Sequence, residues 1–338
     1  MARRGGWTRR GSRRRFRYYN ARGNLIEDPR KLERIEQLRI PPAWRDVWIS
    51  PVAHAKLQAT GVDSAGRRQY LYHPEYRAQQ EQAKYDRLIR FAELLPELRA
   101  VMSEHFELDP LARDWTCAVA LRVIDATWFR VGSERYARES RTFGVTTLRK
   151  RHVTIRGKRV RFAYTGKGRA QVRGVVVDDD LAVAMRTLLD FPGSTRLFRY
   201  RAEDSILNLT GRTLNDYVHE HLGPEFTAKD FRTWGGTLSA AVALAERGAT
   251  DSATDAKRTV AAVMRAVGDR LGNTPTVARA SYVSPAVVEQ YLDGRTIDDF
   301  RPRHLRVVGA RDIELSIEEQ ALVSLLRSWR IRRAREAA

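Results

Sequence analysis

Residues 152–177, HVTIRGKRVRFAYTGKGRAQVRGVVV, decide the fold class of this chain. Val153 and Ile155, then Val160, Phe162 and Tyr164, then Val175 and Val177 mark an alternation of period two, that of strands with one buried face. Arg156-Gly-Lys158 and Gly166-Lys-Gly168 interrupt it with turn residues, so the segment predicts a three-stranded antiparallel sheet. Lys167 stands between two glycines at the second turn, which pushes its ammonium out at a loop tip.

Outward from this sheet the period becomes helical. Tyr85, Leu88, Ile89, Ala92 and Leu95 predict a helix ended by Pro96, and residues 115–129 an apolar one. Residues 181–189, 232–246 and 255–271 predict three more. Ser284 and Pro285 open a short helix, and Ser316 with Glu319 forms a capping box for the last. Residues 16–76 read differently. Residues 16–19 and Leu25-Ile26 flank the turn-forming segment 20–24 as a hairpin; residues 46–50 form a strand stopped by Pro51. Residues 66–74 form another, with Tyr70 and Tyr72 on one face. The expected fold is α+β: a small strand-rich N-terminal domain and a mainly α-helical domain carrying a three-stranded antiparallel sheet. The expected bounds are a basic flexible tail over 1–15, the β-rich domain over 16–88, and the helical domain over 89–338 with a basic C-terminal helix.

Composition narrows the partners. At 338 residues the chain has room for about two domains. Its 61 Lys and Arg against 41 Asp and Glu give a net charge of +20, with a hydrophobic fraction of 43% that supports a real core. No acidic residue precedes Glu27, whereas nine arginines do, and Arg327, Arg330, Arg332, Arg333 and Arg335 repeat the theme at the other end. These runs read as mobile arms for phosphates. One cysteine, Cys117, excludes an internal disulfide framework and a Cys-clustered zinc site. No apolar run reaches the ~20 residues of a membrane span, and the basic N-terminus lacks a signal peptide's apolar region. The expectation is an intracellular nucleic-acid-binding protein.

Familiar catalytic motifs are missing from the sequence: no Walker phosphate loop, no G-x-S-x-G elbow and no H-E-x-x-H. His219 and His221 diverge at i, i+2 on a helix, and residues 178–180 read better as a helix start than as a metal box. Neither a metal, a cofactor nor a nucleotide is expected. What stands out is five residues in order. Arg130 lies between Trp128-Phe129 and Val131-Gly132, Lys167 on its hairpin, and Arg232 in Lys229-Asp-Phe-Arg232. Asn273 lies in the turn Leu271-Gly-Asn-Thr-Pro275, and Tyr282 at a break between helices. Each alone has an ordinary structural explanation.

Together they resemble the type IB DNA topoisomerases of the compact poxvirus and bacterial kind. That family orders its site as Arg, a hairpin Lys, (Lys/His)-x-x-Arg, His or Asn, and then the nucleophilic Tyr. Here these are Arg130 in Phe-Arg-Val-Gly-Ser-Glu-Arg-Tyr136, Lys167 in Tyr-Thr-Gly-Lys-Gly, Arg232, Asn273 and Tyr282. The resemblance covers roughly residues 16–295, and Asn273 replaces the His of the poxvirus enzymes. It implies that the small domain helps clamp duplex DNA, with Gln69, Tyr70, Tyr72, Tyr136 and Lys229 as DNA contacts. It also implies a monomer in the cytoplasm, associated with a bacterial nucleoid.

The implied reaction is relaxation of supercoiled DNA. Tyr282 attacks a phosphodiester, leaving a 3′-phosphotyrosyl bond and a free 5′-hydroxyl. A phenol with a pKa near 10 needs cationic surroundings to react at neutral pH. Arg130 and Arg232 suit the transition-state oxygens because guanidinium stays charged and offers a planar donor fork. Lys167 suits the general acid that protonates the leaving 5′ oxygen, which Arg cannot usefully do. Asn273 can donate to a phosphate oxygen but cannot titrate near neutrality. The rival readings are a tyrosine recombinase, which shares the residue order, and a non-catalytic basic DNA-binding protein, which needs none of the five.

Overall fold

The computed structural model describes residues 5–12, 15–301 and 314–336. The chain divides into two compact units, Met1–Tyr85 and Asp86–Ala338. The first holds one antiparallel sheet of β1 (Trp7–Ser12), β2 (Arg15–Tyr19), β3 (Arg45–Ile49), β4 (Leu57–Val62) and β5 (Arg68–Tyr72), in the order β2-β1-β3-β4-β5. Helix α1 (Pro29–Gln37) starts where the Asp28 carboxylate accepts from the Arg30 N–H and Pro29 presets the first turn. Trp7, Val47, Ile49 and Ala59 form the core of this unit with Ile26, Ile35 and Ile40.

Two expectations for this unit change. Residues 7–12 are not part of a flexible tail. Trp7 is buried in the core, β1 pairs with β2 over five residue pairs, and Arg9 donates to the Trp44 carbonyl at 2.6 Å. One apolar anchor is enough to seat a strand whose other residues face solvent; Arg15 of the expected tail opens β2, and residues 1–4 and 13–14 lie outside the described residues. The hairpin around residues 20–24 shrinks to a single bridge, Tyr19 with Leu25, because β2 takes β1 as its partner. Its turn still forms, with the Asn20 side chain accepting from the Arg22 and Asn24 N–H groups.

The division between units falls inside α2 (Pro74–His105), which runs through Pro96 instead of ending there. Leu95, Leu98 and Met102 are fully buried on both sides of the proline, and that packing outweighs the ~3 kcal/mol of a mid-helix Pro. After it come α3 (Arg113–Thr127), α4 (Glu134–Glu139) and the expected sheet of β6 (Val153–Arg156), β7 (Arg159–Thr165) and β8 (Gln171–Val177). The third strand faces the other way from its expected pattern. Val176 is buried, whereas Val175 and Val177 are 52% and 55% exposed, because the register sets Val160 opposite Val176 and Phe162 opposite Gly174. Gly174 gives Phe129 its place: a Cβ there would lie 2.6 Å from the ring.

Helix α5 (Asp179–Asp190) is capped by Asp178, whose carboxylate accepts from the Leu181 N–H. A hairpin that the periodicity did not suggest follows, β9 (Arg199–Ala202) and β10 (Ser205–Asn208). The rest is helical: α6 (Gly211–Leu222), α7 (Asp230–Ala245), α8 (Ala253–Leu271), α9 (Pro275–Tyr282), α10 (Pro285–Leu292) and α11 (Ile317–Glu336). None of the described helices is long and apolar enough to cross a membrane.

The C-terminal arginines are not a loose arm either. They lie on α11, where Arg332 pairs with Asp293 and Arg327 with Glu93 at 2.5 Å. The expected capping box anchors this helix and does more. Ser316 and Glu319 exchange backbone hydrogen bonds, and the buried Glu319 carboxylate also accepts from Arg99 at 3.0 Å and the Trp234 Nε1–H at 2.9 Å. Arg99 in turn pairs with Asp125 on α3. Burial would raise the Glu319 carboxyl, but Arg99 and Trp234 hold it below the usual carboxylate range.

Removing one member of a buried ion network strands the others, so Glu319→Ala is expected to lower stability by about 3–5 kcal/mol in denaturant melts at pH 7. Because the folded-state pKa is depressed, this contribution is complete above about pH 4.3 and fades as pH falls further, so the two proteins converge in acid. An unchanged midpoint at pH 7 would contradict the network's role.

Candidate active site

Helix α3 stops at Thr127 because Trp128 adopts the left-handed conformation, φ 57°. The helix thus ends two residues before the expected 129, and Arg130 lies beyond it. Its Nη1 donates to the Leu271 carbonyl at 3.0 Å, and its Nη2 to the Gly272 carbonyl at 3.1 Å and the Asn273 Oδ1 at 2.6 Å. Arg232, in the first turn of α7, donates through Nη2 to the same Leu271 carbonyl at 2.8 Å and through Nη1 to the Trp128 carbonyl. It is only 4% exposed.

Both guanidiniums are thus oriented by uncharged oxygens. The acceptors from Leu271 and Gly272 close helix α8, where backbone carbonyls converge and the helix dipole is negative. Gly272 takes the left-handed turn, φ 61°, that brings Asn273 back toward Arg130. Among the described residues no carboxylate pairs with Arg130 or Arg232, so their positive charge stays unneutralised. The Arg232 Nε–H has no partner among the described residues. An orphaned donor on a buried cation is what an incoming anion would satisfy.

Tyr282 ends α9, with the Arg232 guanidinium carbon 5.0 Å from its ring centroid. Burial would raise its phenol, but Arg232, by charge and hydrogen bonding, and then Arg130 and Lys229, bring it below the ordinary phenol value. The backbone of Tyr282 is seated just as closely. Its carbonyl accepts from Thr237 Oγ1 at 3.2 Å, and a Cβ on Gly236 would lie 2.7 Å from that carbonyl. The adjacent Gly235 makes room for Trp128, whose ring would be 2.1 Å from a Cβ there. Two glycines in mid-helix are unfavourable by up to ~1 kcal/mol each, and here they admit the two residues that orient Arg232 and carry the phenol.

Lys167 sits at the tip of the β7–β8 hairpin in a single 3-10 turn, exposed and without a partner among the described residues. Gly166 lets the chain pass Val172, and Gly168 supplies φ 70°. With Arg130, Arg173, Arg232 and Arg270, Lys167 lines a cleft of about 300 Å³ whose only carboxylate is Asp269. Tyr164 also lines it. Burial keeps this second phenol well above its usual value despite Arg232 and Arg130, the opposite direction from Tyr282.

The structure therefore gathers Arg130, Arg232, Asn273 and Tyr282 around the end of α8, with Lys167 on the wall of the cleft that Arg130 and Arg232 also line. Lys229 is exposed at the N-terminus of α7, and Tyr136 is 39% exposed on α4. Gln69, Tyr70 and Tyr72 lie in the first unit, on β5. Tyr70 and Tyr72 are exposed and stacked with centroids 6.3 Å apart, which is not the core packing a strand of alternating Tyr could equally have had. The Gln69 amide donates to Asp63 at 2.8 Å. Sequence reasoning missed Trp128, Tyr164, Arg173 and Arg270, the last stacked 4.2 Å from the centroid of the Trp128 ring. None of the four carried a local sequence signal, since the helix pattern runs on through Phe129.

Comparison with known proteins shows the family. Residues 73–298 match the family model for the eukaryotic DNA topoisomerase I catalytic core, and residues 15–63 match that for the bacterial DNA topoisomerase IB N-terminal domain. The DNA topoisomerase 1B of Acanthamoeba polyphaga mimivirus is 31% identical over 284 residues, 82% of this chain and 84% of that protein. That of vaccinia virus (strain Copenhagen) is 21% identical over 280 residues, 81% and 86% of the two. Among solved structures, the XerH site-specific recombinase bound to difH covers 59% of this chain and 51% of its own, with a TM-score of 0.37 and 13% identity. A catalytic-core match across two thirds of the chain and the mimivirus identity together establish that the chain belongs to the type IB DNA topoisomerase family.

Proposed function

We propose that this protein relaxes supercoiled duplex DNA as a monomer, at the cleft between the end of α8 and the β7–β8 hairpin. The observation that carries the residue assignment is the pair of guanidiniums held by carbonyl oxygens beside the Tyr282 phenol. Tyr282 Oη attacks the scissile phosphorus, and the bond from phosphorus to the 5′ oxygen breaks. Arg130 and Arg232 stabilise the charge that builds on the non-bridging oxygens, using the donors their carbonyl contacts leave over. Lys167 gives its proton to the departing 5′ oxygen. Asn273 orients Arg130 through Oδ1, and its amide N–H groups can donate to the phosphate. The free 5′ end rotates, and its hydroxyl then attacks the phosphotyrosine and returns the phenol. The bond energy is conserved in the ester, so neither nucleotide nor metal is required. Tyr70, Tyr72 and the amide of Gln69, with Tyr136 and Lys229, are the proposed duplex contacts, and nucleoid DNA the proposed setting.

The direct assay is relaxation of supercoiled plasmid in EDTA without nucleotide. Full relaxation over a range of salt is expected; plasmid left supercoiled under all conditions would refute the reading. A recombinase would instead need paired sites, and a non-catalytic binder would relax nothing.

Lys167→Ala is expected to slow cleavage of ordinary DNA by about 10²–10⁴-fold, the range of a lost general acid. A 5′-bridging phosphorothiolate, whose leaving group needs no proton, should restore most of the rate. Equal losses on both substrates would remove the acid role.

Gly236→Ala is expected to fold but to displace the Tyr282 backbone, lowering single-turnover cleavage on the order of 10²-fold with little change in DNA affinity. A wild-type rate would show that the close seating of Tyr282 is unimportant.

A further inference from the structure

A second concavity, about 400 Å³ in volume, shares Phe143, Tyr164, Gln171, Val172 and Arg173 with the catalytic cleft. Arg141 and Arg151 complete its charge, and among the described residues no carboxylate lines it. All three arginines are exposed, and among the described residues none of their side chains has a hydrogen bond or an ion pair. Surface arginines commonly sit beside acids; three gathered in one hollow without any repel each other until an anion arrives.

The surroundings are built to keep them there. Arg141 is held in the left-handed region, φ 50°, a conformation that is strained for a residue with a Cβ. The backbone just after it is fixed by the Thr142 N–H on the Tyr136 carbonyl at 3.3 Å and the Phe143 N–H on the Thr165 carbonyl at 2.8 Å. His152 lines the hollow as well. Its Nδ1 accepts the Arg149 N–H at 3.0 Å, which leaves the ring proton on Nε2 as a donor. Burial, with Arg151 and Arg149 nearby, pushes this imidazole down to about 4, so it stays neutral and does not add to the repulsion. The lining thus offers cationic and neutral donors, the complement of a phosphate.

We propose that this hollow is a second phosphate site, taking a non-scissile phosphodiester within three nucleotides of the scissile one. The inference rests on the catalytic reading of the neighbouring cleft. The two hollows meet along Phe143, Tyr164, Gln171, Val172 and Arg173, and phosphates one to three nucleotides apart are separated by ~3–10 Å of axial rise, at ~3.4 Å each. The contact fixes the register of the cleaved strand against Tyr282 through Arg141, Arg151 and Arg173, with no reading of base sequence.

The test is a binding scan with duplexes carrying one uncharged methylphosphonate at each linkage in turn, comparing the full-length wild type with Arg141→Ala/Arg151→Ala. For the wild type, one linkage within three nucleotides of the mapped cleavage position should weaken binding about tenfold or more. The double variant should bind unmodified DNA about that much more weakly, lose nothing further at that linkage, and show a salt slope shallower by about one. Both side chains are exposed, so its melting point should match wild type, and with the register loosened cleavage at saturating DNA should slow or spread to neighbouring linkages. Losses that multiply at every linkage, or coupling only at a distant one, would overturn the proposal. A wild type that binds but never cuts would overturn the catalytic reading instead.

Discussion

The carbonyl oxygen of Leu271 accepts from Arg130 at 3.0 Å and from Arg232 at 2.8 Å, and the rest of the site depends on that shared contact. Two cations on one acceptor is an unfavourable arrangement unless other oxygens contribute. Here Gly272, Asn273 and Trp128 do so, together with the negative end of helix α8. A carboxylate would have held the arginines more tightly and cancelled the charge that a phosphoryl transition state needs. Carbonyls give direction without neutralisation, and the Tyr282 phenol is brought below its ordinary value by the same charges.

Packing keeps this arrangement in place. Trp128 must turn into the left-handed region to aim its carbonyl at Arg232, and its ring needs the space left by Gly235. Tyr282 needs the space left by Gly236, while Thr237 ties its carbonyl to the same helix. Helix α7 therefore carries Arg232, two clearances and a tether within six residues. It is anchored from behind by Trp234, whose Nε1–H reaches the buried Glu319 of α11. The C-terminal helix is in this way part of the catalytic unit.

Much of this was legible in the sequence, for identifiable reasons. The β6–β8 sheet, the exposed Lys167 and the cap at Ser316 rest on local chemistry, and local chemistry survives folding. The order of Arg130, Lys167, Arg232, Asn273 and Tyr282 pointed to the site through resemblance. What failed was decided by partners far away in the chain. Pro96 stays inside α2 because buried neighbours on either side outweigh the lost hydrogen bond. Val176, not Val175, faces inward because pairing with Val160 sets the register. Trp7 seats a strand that the arginines around it had disguised as a tail. The carbonyl cradle was invisible for a different reason: backbone acceptors have no residue type, so no motif announces them.

The central claim is that Tyr282, beside the carbonyl-held arginines, becomes joined to the 3′ side of a cut strand. Quenching the reaction with detergent in mid-course, using duplex labelled at the 5′ end of the cleaved strand, tests it directly. The label should transfer to wild-type protein on the peptide containing Tyr282, and should be absent from a Tyr282→Phe variant that still binds DNA. Label on another residue, or transfer only from a 3′-labelled strand, would contradict the account.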